Sequence, residues 1–169
     1  MNDELFDVVN DRNEVIGCLP RAEVHRRGLK HRSAHLLLFN SRGDLFLQQR
    51  SFRKDTYPGA WDSSAAGHLS AGESYDDAVR RETHEELGIV LGSAPEPLFT
   101  LEASPETGHE FIWVYRATHD GPFHLHPLEL TGGGWFHPDH VDRWTADRPE
   151  DFARSFCRIW QKYLALPKP

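Results

Sequence analysis

Cysteine is scarce: the 169 residues contain two, Cys18 and Cys157. Two cysteines in a chain of this length build no disulfide framework and predict a reducing, cytoplasmic setting. An excess of basic residues is missing as well. Nineteen Lys and Arg against 26 Asp and Glu give a net charge of −7, which argues against a nucleic-acid polymer as partner, because such binding runs through a basic face. No window approaches the roughly 18 apolar residues of a membrane-crossing helix, so no membrane role is expected. The acidic start, MNDELFDVVN, has neither the basic region nor the apolar stretch of a secretory signal. There is no internal repeat and no low-complexity tract. What remains is an acidic chain read as one domain over 1–169, long enough to bury a single sizeable core.

Turn residues punctuate the chain. Asn10 to Asn13 separate two short apolar runs and predict a hairpin over 5–18. Pro20 and Gly28 bracket a short helical segment, 20–27. Ser41-Arg42-Gly43 joins strands expected at 35–39 and 44–48. Further strands are expected at 61–67, 98–101 and 110–117, and a last one at Trp135-Phe136 after three glycines. A helix over 74–87 has Ser74 as N-cap, Asp76 and Asp77 in its first turn and Gly88 just past its end. A closing helix over 149–164 carries Phe152, Phe156, Ile159, Trp160 and Tyr163 on one stripe. His119, His124, His126, His137 and His140 fall in expected loops. The order predicts an α/β fold, a mixed sheet with helices packed on it.

Within helix 74–87, Glu82, Glu85 and Glu86 stand at i, i+3 and i+4 and share one face. Like charges at that spacing cost about 0.2–0.5 kcal/mol per pair, and the helix C-terminal half disfavours anions. A cation should compensate. Mg²⁺ or Mn²⁺ suits oxygen ligands and bridges carboxylates to substrate phosphates. Gly67 and Gly72 permit a tight loop beside the same ion, and Arg81 can pair with one carboxylate. Taken alone, such a face more often marks a solvated acidic surface.

The full spacing decides between them. Gly67-x5-Glu73-x7-Arg81-Glu82-Thr83-x-Glu85-Glu86-x-Gly88-Ile89 resembles the Nudix signature at all seven fixed positions. Seven residues at about 6–7% usage each arise by chance in roughly one of 10⁶ such chains. Thr83 departs from the usual bulky aliphatic, which touches packing and leaves the chemistry intact. The resemblance implies an α/β/α sandwich and divalent-metal-dependent hydrolysis of a diphosphate bond in a nucleotide or related organic diphosphate. It implies Glu85 and Glu86 as metal ligands and Glu82 as ligand or base-orienting carboxylate. Glu73 would bind metal through water or brace the loop, and the Ala66 carbonyl would complete the shell. The family also contains homodimers.

A second resemblance covers about residues 5–89 and is to the isopentenyl-diphosphate isomerase branch of the superfamily. It is carried by His25, His31, Gln48-Gln49-Arg50-Ser51, Lys54, Pro58-Gly59, Trp61 and Gly67-His68. It implies a metal or phosphate role for His25, His31 and His68, and a substrate-diphosphate role for Arg50 and Lys54. Glu110 matches one acidic ligand, whereas the second falls on Gly108. The isomerases place a catalytic cysteine directly before the Gly-His pair, and here that residue is Ala66, which transfers no proton. They also tend to lose the carboxylates matching Glu82 and Glu85, which this chain keeps. The reading is an isomerase-like frame carrying a hydrolase site; the alternatives are an isomerase and a non-catalytic nucleotide sensor. Glu129 competes with Glu102, Glu106 and Glu110 as a base outside the signature. His35, His84, Trp61 and Trp135 are expected to be structural.

Overall fold

The structure is a computed structural model that describes residues 4–168. Its first two strands, β1 (Leu5–Val9) and β2 (Val15–Pro20), form an antiparallel pair of their own. Strands β3 (His31–Phe39) and β4 (Leu45–Arg50) form the hairpin at the centre of a seven-stranded sheet. The same device closes both turns. The side-chain oxygen of Asn10 accepts from the backbone N–H groups of Arg12 and Glu14, and that of Asn40 accepts from Arg42 and Asp44. Asparagine mimics a backbone turn in this way.

The sheet runs β5-β4-β3-β8-β7, with β6 also paired to β3 and β9 to β4. Its other members are β5 (Trp61–Asp62), β6 (Ala65–His68), β7 (Glu96–Leu101), β8 (Glu110–Thr118) and β9 (Leu130–Phe136). The pair β3–β8 is parallel and the others antiparallel, so the sheet is mixed. Alternation along β3 supplies both cores. Leu36 and Leu38 pack with Val79 and Leu87 of α2 (Tyr75–Leu87). Leu37 and Phe39 pack on the other face with Val141 of α3 (Pro138–Asp147) and with Phe156, Ile159 and Trp160 of α4 (Arg154–Leu164). Helix α1 (Arg21–Arg27) packs Val24 against Phe6 and Val8 of β1.

Several expectations need correction, among them the last strand, which is not confined to Trp135-Phe136: β9 starts at Leu130 and runs through the three glycines, paired with β4. The strand expected at 61–67 is two, because the chain changes partner at Ser63-Ser64: β5 pairs with β4 and β6 with β3. The Ser64 hydroxyl makes the crossing possible, donating to the Phe46 carbonyl and accepting from the Leu38 N–H. The closing helix starts at Arg154, not at residue 149. A 3-10 turn at Pro149–Asp151 is followed by extended Phe152, and the Ala153 N–H is drawn to the Trp61 carbonyl at 3.0 Å. His140 lies inside α3 and His137 caps it, its ring accepting from the Asp139 N–H, so neither is in a plain loop. Helix α2 begins at its Ser74 cap and stops at Gly88 with φ +69°.

Candidate active site

The alternation that feeds the core changes chemistry at one end of β3. His31, Ser33 and His35 occupy the same face as Leu37 and Phe39 and are likewise buried. Next to the start of α4 a cavity of about 910 Å³ opens on that face, lined also by Arg21, Val24 and His25 of α1 and by Ala153 and Ser155. Among the described residues, the Nε2 of His31 and the hydroxyl of Ser33 are buried with no hydrogen-bond partner. Burying such groups costs free energy unless something completes them.

Helix α2 supplies one wall. Arg81 organises it, reaching three carboxylates where one was expected. It bonds both Glu73 oxygens at 2.8 and 2.9 Å, Glu82 at 2.6 Å and Glu85 at 3.2 Å, and also donates to the His68 carbonyl. Glu73 accepts as well from the Ser70 N–H, so it sits behind Arg81 and braces the loop. Burial would raise its carboxyl, but Arg81 and the Ser70 N–H hold it below the usual range. Glu86 is buried, and its Oε2 accepts from the Ala66 N–H at 2.9 Å and the Gln48 amide at 3.0 Å. Burial pushes Glu82 up to about 7, against the pull of Arg81. Burial, followed by the neighbouring Glu82, raises Glu86 well above the carboxylate range. Two acids side by side, Glu86 buried and Glu82 partly so, are costly to ionise together without a compensating positive charge. Thr83 is fully buried and satisfies its hydroxyl on the Val79 carbonyl.

The opposite wall is a histidine cluster. Ring nitrogens of His25, His31 and His68 lie within 4.8 Å of one another. Glu110 Oε1 is 3.0 Å from His68 Nε2 and 3.7 Å from His31 Nε2. The His31 Nδ1 donates to the Leu29 carbonyl at 2.8 Å, so its Nε2 faces the cluster as a lone pair. Burial, then His68 and His31, lowers His25 to about 4. Burial would raise Glu110, yet His68 and His31 hold it well below the carboxylate range. This donor set of three imidazoles and one carboxylate suits a borderline divalent metal better than a purely oxygen-seeking one.

The rim is basic. Arg50 donates twice to the Thr56 carbonyl and, at 3.4 Å, to buried Asp62. Lys54 is ion-paired with Glu129. His35 bonds the Ser63 hydroxyl at 2.9 Å and lies 3.9 Å from Asp62; burial lowers it despite that carboxylate.

Arg81, Glu82, Glu85, Glu86, Ala66, Arg50, Lys54, His31, His68 and Glu110 all line the one cavity, and Glu73 stands behind it. Of the carboxylates competing for a base outside the signature, Glu102 lines a different, smaller cavity. Glu106 and Glu129 both line the main cavity, paired with Arg158 and Lys54 respectively, and Glu110 pairs with the histidines. Trp61 and Trp135 are packing, against Phe136 and Trp144 and against Phe46 and Phe123 respectively. Sequence reasoning missed Ser33, Gln48, Asp62 and Ser63. The alternating His-x-Ser-x-His before an apolar run was the available signal for Ser33.

Known proteins resemble this chain in sequence and in fold. The NUDIX domain profile matches residues 29–156. Over 142 residues the chain is 34% identical to a Nudix hydrolase of Deinococcus radiodurans, covering 83% of each chain. Over 160 residues it is 32% identical to the isopentenyl-diphosphate Delta-isomerase of Serratia proteamaculans, covering 93% of this chain and 89% of that one. The crystal structure of DR0079 from Deinococcus radiodurans superposes with a TM-score of 0.84 at 30% identity, covering 94% and 98% of the two chains.

Proposed function

The chain belongs to the NUDIX family, and on that premise we propose that it is a pyrophosphohydrolase cleaving a nucleoside di- or triphosphate, or a related organic diphosphate, with Mg²⁺ or Mn²⁺. The observation that carries this is the gathering of Glu82, Glu85 and Glu86 on one cavity wall, the first two held by Arg81 and Glu86 by the Ala66 N–H and the Gln48 amide. These acids fit a hard divalent cation, with the Ala66 carbonyl as a further ligand and Glu73 as brace. A cation held there neutralises phosphate charge and lowers the pKa of the attacking water. Arg50 and Lys54 meet the diphosphate from the rim. Glu129, displaced from Lys54 by that anion, is free to take the water's proton. His25, His31, His68 and Glu110 form a second cation site, supported by the unpartnered His31 Nε2. We place the protein in the cytoplasm as one domain over 1–169.

The test is release of phosphate and pyrophosphate from nucleoside di- and triphosphates, nucleotide sugars, dinucleotides and isoprenoid diphosphates, with each metal. Cleavage of one class is expected, and no release from any would overturn the reading. Metal content after dialysis tests the histidine site: His31→Ala should lower bound transition metal by one equivalent. The histidine cluster also favours a second reading, isopentenyl-diphosphate isomerisation. It predicts solvent-label exchange between the two isomers, which Ala66 should prevent.

A further inference from the structure

The chain has 19 aromatic residues (5 Trp, 4 Tyr, 10 Phe), and a single one of them, Tyr57, lines the site cavity. Its placement differs from that of the other rings. Tyr57 is 41% exposed, and among the described residues its ring stacks on no other aromatic and its hydroxyl makes no hydrogen bond. Packing therefore does not account for it.

Its backbone is held at a cost. Tyr57 has φ +48°, in the left-handed region where a bulky side chain is an outlier. It also precedes Pro58, which favours extended backbone in the residue before it. Strain of this kind persists only where the surroundings over-determine it, and here they do. Arg50 grips the Thr56 carbonyl through Nε and Nη2. The Ala60 N–H donates to the Tyr57 carbonyl, and the Arg50 N–H to the Ala60 carbonyl. Gln49 holds the Gly59 carbonyl. The Phe52 ring lies so close to Gly59 that an added Cβ would meet it at 2.3 Å. The segment is a braced arch. It carries Arg53 and Lys54 on the same cavity rim as Tyr57, so one rigid element offers cations and a bare aromatic face together.

We propose that Tyr57 is the platform on which the site stacks a nucleobase, which makes nucleotides the substrate class preferred over base-free diphosphates. This deepens the hydrolase reading and rests on it for the diphosphate end. Stacking on an aromatic face tolerates any base, so the platform selects for a base without specifying which.

The test uses two non-hydrolysable ligands with Mg²⁺, an α,β-methylene nucleoside diphosphate and methylenediphosphonate, titrated calorimetrically into the full chain. Wild type should bind the nucleoside compound about tenfold tighter. Tyr57→Ala should erase that difference while leaving methylenediphosphonate affinity within about twofold, and Tyr57→Phe should keep it. Tyr57→Gly, which removes the ring and relaxes the backbone, should also lose the preference with a Tm no lower than wild type. A preference absent in wild type, or surviving Tyr57→Ala, overturns the proposal, as does a fall in Tm with equal loss for both ligands. The hydrolase reading fails separately: a protein that binds the nucleoside analogue through Tyr57 yet releases no phosphate from any diphosphate refutes turnover and leaves the platform standing.

Discussion

Gly67 lies against Glu82 so closely that a Cβ built on it would stand 2.0 Å from the Glu82 carboxyl carbon. The first glycine of the signature is thus a space for the carboxylate more than a turn. Gly67→Ala should push Glu82 out of line, costing about 1–3 kcal/mol of stability through overpacking. Activity should drop far more, by about a hundredfold. Thermal melts and steady-state kinetics on the same preparation check both. Full activity in Gly67→Ala would show that the close approach is not needed.

The acid pair of partly buried Glu82 and buried Glu86 sets an unusual pH trend for the metal-free protein. Glu82 titrates near 7 when folded, against 4.5 for an ordinary glutamate. Between those values the folded state holds more protons than the unfolded one, so stability falls as pH rises through that window. His25, lowered to about 4, contributes the opposite slope. Comparing wild type with Glu82→Gln isolates the acid: the variant should gain stability relative to wild type as pH rises from 5 to 7.5. Mg²⁺ at about a hundred times its Kd should then raise the wild-type Tm at pH 7.5 by roughly 5–10 °C. The variant should respond less.

Lys54 and Glu129 form an ion pair on the rim, although each has a separate task in the proposed reaction. Lys54→Met should raise KM chiefly, since it removes a phosphate contact. Glu129→Gln should lower kcat by about 10²–10⁴ with KM little changed. The double variant should fall short of the product of the two losses. Strict multiplicativity would mean that the pair is not coupled in catalysis.

What was legible in the sequence follows from range. Helix α2 could be placed because its cap, its dipole-matched first turn and its Gly88 stop are all local. The co-facing of Glu82, Glu85 and Glu86 needs only helical period. Helix α3 escaped because a proline and two histidines surround its start, and its signal, His137 capping Asp139, reads equally as loop. The split of 61–67 into β5 and β6 could not be read, since it depends on which strand Ser64 meets across the sheet. Asp62, Ser63 and Gln48 were missed for the same reason. Their roles exist only once β3, β4 and α2 are side by side.

The most direct measurement is the turnover of wild type and Glu85→Gln on the best diphosphate substrate, with Mg²⁺ and with the metal chelated. Glu85 is half exposed, at 52%, so its substitution spares the fold, which circular dichroism would verify. The expected result is a loss of at least about a hundredfold in the variant and in chelated wild type alike. Unchanged turnover in folded Glu85→Gln, or full activity without a divalent metal, would contradict the carboxylate cluster as the seat of hydrolysis.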